Sequence, residues 1–223
     1  MGGSPVCLHP VVIPLIKGPQ ILDVGCGFGK WGYLCMANYW ETKVSTPSTI
    51  PEIMGIDGFM PNVEMARRNG CYTQVSHAII PPLPFKNRSF DTVLMIEVIE
   101  HLQGNEALKL IEEAKRITRN QVIISTPNFP SIRQAHETIT GFNELEAHIS
   151  YWSRDRLREL GFTLYGAGWR PGFRYWRGIL HRLGILVFYD KQLRPTLSSL
   201  SLWAPYFAEN IVGVWKNENS DHD

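Results

Sequence analysis

Residues 20–32, QILDVGCGFGKWG, decide the reading of this chain. Ile21, Leu22 and Val24 make a short apolar run of the kind that forms a buried strand. Gly25, Gly27 and Gly29 follow at alternate positions, where a backbone can turn tightly and admit a ligand. KWGYLCMANYW, residues 30–40, then reads as a helix. By spacing alone the loop is ambiguous. Gly25, Gly27 and Gly29 fit G-x-G-x-G, whereas Gly27, Gly29 and Gly32 fit the dinucleotide pattern G-x-G-x-x-G. A tight strand-to-helix turn with no ligand is the plainer alternative.

Working outward, EIMGID (52–57) is a second strand ending on an acid. Pro61 suits the first turn of a helix that Gly70 closes. CYTQVS (71–76) is a weaker strand, and SFDTVLMI (89–96) is nearly continuous and apolar, as in a strand buried on both faces. NEALKLIEEAKRIT (105–118) has helical periodicity, with Asn105 as the candidate cap. QVIIST (121–126) is another buried strand. SRDRLRELGF (153–162) is a helix capped by Ser153, and FTLYGAGW and ENIVGVW supply the last two strands. ETKVSTPSTIPE (41–52) reads as a surface loop.

Alternating strands and helices predict an α/β fold: a Rossmann-like, seven-stranded, mostly parallel sheet with helices on both faces. We expect one domain over residues 1–216, a helical insert at about 169–208 between the last two strands, and a polar tail at 217–223. Ligands in such sheets sit at the carboxyl ends of the strands, at the topological switch point. Attention therefore falls on residues 23–29, 57, 97–101 and 126–128.

The 223 residues carry a formal charge of +1, so no global basic footprint for nucleic acid exists. Cys7, Cys26, Cys35 and Cys71 show no C-x-x-C spacing and read as reduced thiols of a cytoplasmic protein. We expect no signal peptide, because Pro10, Pro14 and Pro19 interrupt the first residues. No stretch reaches the roughly 18–20 apolar residues that span a bilayer.

MIEVIEHLQG, residues 95–104, leaves the core with Glu97, Glu100 and His101 bunched together. If the chain turns helical after Ile96, the three share one face. The plain reading is a helix start, where carboxylates are favoured.

Four segments together resemble the class I S-adenosylmethionine (SAM)-dependent methyltransferases: ILDVGCGFGKWG, MGIDGF (54–59), LPFKNRSFDTVLMIEVIEHL (83–102) and IISTPN (123–128). The resemblance implies SAM as cofactor. It assigns Asp23, beside the glycine loop, to the methionine end of SAM and Asp57 to the ribose hydroxyls, with Gly25, Cys26, Gly27, Gly29, Gly58, Phe59 and Glu97 as further cofactor-binding candidates. Glu97 would lie near cofactor or acceptor. Relatives often hold an acid before LPF, near the adenine amino group. Here HAIIPP (77–82) has none, which leaves adenine to the backbone, His77 or Ala78.

E-x-x-E-H, STPN and then H-x-x-x-W-[ST]-R (148–154) resemble the small-RNA 3′-terminal 2′-O-methyltransferases, and the ubiquinone-biosynthesis O-methyltransferases share the E-x-x-E-H element. This resemblance implies a divalent metal on Glu97, Glu100, His101 and His148. Mg²⁺, Mn²⁺, Fe²⁺ and Zn²⁺ all suit a mixed O/N set. His148 and Glu97 are the catalytic candidates, and His148 also reads as a metal-free substrate base or a loop cap. The expected reaction is O-methylation of a hydroxyl. Metal-free transfer and non-catalytic SAM binding are the alternatives.

Between the last strands, Phe173, Trp176, Leu180, Leu183 and Val187 fall on one helical face, with Arg174, Arg177, His181 and Arg182 on the other. This is a lid or dimer helix, or a basic amphipathic helix making peripheral membrane contact through 172–188. On this reading a small-molecule or lipid-linked acceptor ranks ahead of RNA.

Overall fold

A computed structural model of the chain describes residues 3–42, 50–169, 202 and 205–218. The strands are β1 (Gln20–Val24), β2 (Glu52–Asp57), β3 (Gln74–His77), β4 (Phe90–Ile96), β5 (Thr118–Pro127), β6 (His136–Thr138), β7 (Gly141–Asn143), β8 (Thr163–Trp169) and β9 (Ala208–Lys216). The helices are α1 (His9–Val12), α2 (Lys30–Thr42), α3 (Met60–Asn69), α4 (Gly104–Ile117) and α5 (Arg154–Glu159). Seven strands form one sheet in the order β3-β2-β1-β4-β5-β9-β8. β9 runs antiparallel to both its neighbours, and the other pairings are parallel. β6 and β7 form a separate hairpin.

Alternation along the central strands sorts their side chains onto the two faces. Val93 and Met95 of β4 join a core with α4 and α5, through Leu110, Ile111, Ala114 and Leu157. Leu94 and Ile96 join a second core with α1 and α2, through Val12, Trp31 and Cys35. Every residue of β4 is buried, as its unbroken apolar sequence requires. The strand order reverses between β1 and β4, so the cleft opens there.

Most local expectations hold. Pro61 sits in the first turn of α3, and Gly70 closes it at φ 65°. The Ser153 hydroxyl accepts from the Arg156 amide and caps α5. The cap of α4 is corrected: Gln103, not Asn105, starts the helix. The Gln103 side chain accepts from the backbone of Glu106, and the Glu106 carboxylate accepts from the Gln103 amide at 3.2 Å. This reciprocal pair satisfies two end groups, more than Asn105 could from inside the first turn.

The expected insert at 169–208, including 172–188, lies almost wholly outside the described residues. Among the described residues, no helix is long and apolar enough to cross a membrane.

Candidate active site

The glycine loop is fastened to β2. The amides of Gly25 and Cys26 both donate to the Ile56 carbonyl, at 2.8 and 3.0 Å. Gly25, Gly27 and Gly29 all have positive φ. A Cβ on Gly25 would lie 2.7 Å from Val98, whereas one on Gly27 would meet nothing within 4 Å. Gly27 borders two neighbouring cavities, so its missing side chain is space in the cleft.

The smaller cavity, about 140 Å³, is lined by Asp57, Gly58, Ile79, Ile80, Val98 and Leu145, among others. Asp57 accepts from the amides of Gly27 and Phe59, each at 2.8 Å, and from the Asn62 side chain at 3.3 Å. Burial raises its pKa against these three bonds. Phe59 is not among the lining residues. Neither are His77 and Ala78. The His77 ring is bonded to the Gly58 carbonyl at 2.9 Å, and the Ala78 amide donates to the Asp57 carbonyl.

Asp23 does not line either cavity. It is buried behind the loop, where Oδ2 accepts from the Tyr72 hydroxyl at 2.6 Å and Oδ1 has no partner among the described residues. The Tyr72 oxygen in turn accepts from the Gly32 amide at 3.1 Å. A Cβ on Gly32 would lie 2.5 Å from the Tyr72 ring. The third glycine of the dinucleotide-like spacing therefore makes room for a tyrosine. Sequence reading missed Tyr72, which lies in the weak segment before β3.

The larger cavity, about 280 Å³, is lined by Gly25, Cys26, Lys30, Glu97, Arg133 and His148, among others. Glu97 sits at the end of β4 with φ 58°, a conformation a non-glycine residue rarely adopts. Ser125 holds it there. The Glu97 amide donates to the Ser125 carbonyl and hydroxyl, each at 3.1 Å, and Glu97 Oε1 accepts from that hydroxyl at 2.7 Å. Burial pushes its carboxyl up to about 7.

The expected α-helical face does not form. Only a 3-10 turn, Ile99–His101, follows, and α4 begins at Gly104. Glu97's left-handed backbone breaks the helix before it can start. The segment around His148 nevertheless meets this turn. Glu100's carbonyl accepts from the amides of Ile149 and Ser150, at 2.9 and 3.1 Å. Trp152, fully buried, donates from Nε1 to the Ile99 carbonyl at 3.2 Å. The tryptophan four residues after His148 is thus the anchor that delivers the histidine.

Ligand atoms of Glu100, His101 and His148 lie within 4.8 Å of one another. His101 Nδ1 is bonded to the Ala147 carbonyl at 3.0 Å. As a donor there, it leaves the Nε2 lone pair free. Burial lowers the pKa of both imidazoles, and His148, further depressed by His101 and Arg133, falls to about 4. Both rings are neutral at pH 7, as metal ligands must be. Glu100 is 1% exposed, and its carboxylate has only weak polar contacts, with its own backbone and the Thr126 side chain, none of them a well-formed hydrogen bond among the described residues. Burial and then Glu97 push its pKa well up. Glu97 stands outside this tight group but faces the same cavity.

Comparison with known proteins is consistent with this geometry. Residues 22–125 match a family described as "Methyltransferase domain". Over this stretch the chain is similar to a methyltransferase domain. A probable tRNA methyltransferase 9B of Mus musculus is 34% identical over 101 residues, which cover 45% of this chain and 19% of that protein. The match therefore spans about a fifth of the relative's length. A SAM-dependent methyltransferase from Archaeoglobus fulgidus superposes with a TM-score of 0.55 at 16% identity, covering 94% of this chain and 91% of that one. One from Mesorhizobium loti gives 0.54 at 13% identity, covering 95% and 98%. At such identities the superpositions establish the fold of the methyltransferase domain, and the site's own residues must carry the chemistry.

Proposed function

We propose that this methyltransferase domain transfers the methyl group of SAM to a hydroxyl of its acceptor, assisted by a divalent ion on Glu100, His101 and His148, with Glu97 beside them. One observation carries the reading. Two neutral imidazoles and a buried, poorly satisfied carboxylate converge next to the glycine-loop cavity. A buried carboxylate so weakly hydrogen-bonded is costly in its charged form unless a cation answers it.

The donor side fits SAM. Gly27 leaves open space in the cleft, and Asp57 faces the smaller cavity, where a ribose diol would meet its carboxylate. Gly25, Cys26 and Glu97 border the larger cavity, on the methionine side. Asp23 acts from behind, through Tyr72, by steadying the loop. The donor set of one carboxylate and two imidazoles, with a second carboxylate close by, fits Mg²⁺, Mn²⁺, Fe²⁺ or Zn²⁺. When bound, the ion supplies a Lewis acid that lowers the pKa of an acceptor hydroxyl. Ser125 fixes the Glu97 carboxyl, whose pKa near 7 suits it to take up the acceptor's proton.

The acceptor reading shifts from the small-molecule expectation toward RNA. The curated relatives are named as tRNA methyltransferases. Around the carboxyl end of β5, Phe129, Tyr151, Tyr206 and Phe207 are exposed, and the Arg154 guanidinium lies 4.7 Å from the Tyr206 ring. Exposed aromatic rings with arginines are the equipment by which proteins stack unpaired bases.

The test pairs metal binding with methyl transfer. The native chain is expected to bind one Mn²⁺, and Glu100→Gln and His148→Ala to lose at least tenfold in that affinity. Transfer from tritiated SAM to RNA should stop in chelator. Full activity in chelator, kept by both variants, would sink the ion and the histidine together. Label in a lipid extract but not in RNA would refute the acceptor reading alone.

A further inference from the structure

We infer that Asn62 and Thr140 are positioning residues: they latch segment 136–148 over the bound cofactor, so that filling the donor site sets His148 against His101. The inference rests on the SAM reading above.

The segment runs unbroken from one half of the site to the other. It starts as the β6–β7 hairpin, which shares no ladder with the main sheet. At the hairpin's tip, the Thr140 hydroxyl donates to the Asn62 side-chain oxygen at 2.6 Å. The Asn62 amide donates onward to Asp57 Oδ1 at 3.3 Å. Asn62 is itself buried, and it borders both cavities. The acid that meets the ribose is therefore two hydrogen bonds from the hairpin.

Past the tip, Asn143, Leu145 and Glu146 form the outer wall of the smaller cavity. Leu145 presses so closely that a Cβ on Gly58 would lie 2.9 Å from it. The segment therefore packs directly against the turn that follows Asp57. Two residues further, the Ala147 carbonyl holds His101 Nδ1, and His148 follows. With the segment in place the nucleoside-side cavity measures about 140 Å³. It adjoins the larger cavity, about 280 Å³, across Gly27 and Asn62, and Glu146 borders both. The segment therefore walls both halves of the space a SAM molecule would span.

Polar contacts shape the Thr138–Gly141 turn from within, and the Thr140–Asn62 bond ties it to α3. The Thr138 hydroxyl donates to the Gly141 carbonyl at 2.8 Å and lies 2.9 Å from the Thr140 hydroxyl. Ile139 and Phe142 are more than half exposed. A two-stranded hairpin so held has little stability of its own, which suits a part that opens and closes.

Hydrogen exchange on the full chain, with and without S-adenosylhomocysteine, tests this. The ligand is expected to slow exchange in the Gly25–Gly29 loop and, at least tenfold, across 138–148. Thr140→Val should keep the loop protection and lose that of 138–148, while Thr140→Ser, which restores the hydroxyl, should regain it. A ligand that protects the loop and leaves 138–148 unchanged would overturn the latch, as would wild-type protection of the segment in Thr140→Val. Protection at neither place would overturn the SAM reading, and the latch with it.

Discussion

Single residues at the loop show which positions serve the ligand and which serve the fold. Asp23 carries the sharper consequence. Burial raises its carboxyl from 3.8 to about 7, against the hydrogen bond from Tyr72. A carboxyl raised by folding contributes stability that is fully present below its unfolded pKa and is lost as pH rises through its folded one. The swing, between about pH 4 and 7, is of order 4 kcal/mol. Asp23→Asn keeps an acceptor for Tyr72 but has no proton to lose. We therefore expect urea midpoints of the variant to vary less over that window, and its stability above pH 7 to exceed the native chain's. Parallel curves for the two proteins would mean that Asp23 is ionised at little cost in the native fold. Gly27 lies on the other side of the division. Gly27→Val places a branched side chain into open cleft from a backbone at φ 55°. It should weaken S-adenosylhomocysteine binding by at least tenfold in calorimetry, and cost about 1–3 kcal/mol of stability from the strained φ. From the sequence, Gly27 and Gly32 looked alike. Only the packed Tyr72 ring separates them, and no spacing rule contains a ring from forty residues away.

Elements obey local chemistry where local chemistry is decisive. α4 has a strong apolar stripe, through Ala107, Leu110, Ile111, Ala114 and Ile117, and it forms where periodicity places it. Its start was misread because a side chain two residues upstream, with Glu106, makes the stronger cap. Gln103→Ala breaks that reciprocal pair and should cost about 1 kcal/mol of stability. Calorimetry should find cofactor affinity unchanged, because Gln103 borders neither cavity. A matching loss of affinity would place the start of α4 in the cofactor site. The turn before it was less legible. Glu97, Glu100 and His101 read as one helical face, yet they converge through a left-handed residue and a single 3-10 turn. The partners that impose this, Ser125 and the 147–152 segment, are remote in sequence. Trp152 was the one visible trace of them, since a large residue at fixed distance from His148 must be buried somewhere.

At the scale of the molecule, the donor half and the acceptor half differ in how they are encoded. Asp23 and Asp57 lie at the carboxyl ends of β1 and β2, and Gly27 and Glu97 follow β1 and β4, all within the one contiguous stretch that matches the methyltransferase domain. A repeating strand–helix pattern fixes such positions, so they could be read directly. The proposed acceptor wall is built from chain separated by whole elements: the residues after β5, Tyr151 and residues 205–207. Asn128 joins them, donating to the carbonyls of Pro205 and Ala208 at 2.9 and 2.8 Å and accepting from Arg154 at 3.2 Å. Nothing periodic links these parts, so the RNA reading rests on the relatives' names and on the assembled surface. It makes a demand that separates the halves. Base–aromatic stacking contributes roughly 1–3 kcal/mol per base. If Tyr206 is a stacking platform, Tyr206→Ala should lower kcat/KM for an RNA acceptor by about tenfold through KM. Tyr206→Phe, which keeps the ring, should behave as native. Neither should change affinity for S-adenosylhomocysteine, because Tyr206 borders neither cavity. Equal loss in both variants would assign the effect to the hydroxyl, and an unchanged KM in Tyr206→Ala would place the acceptor on another part of the rim.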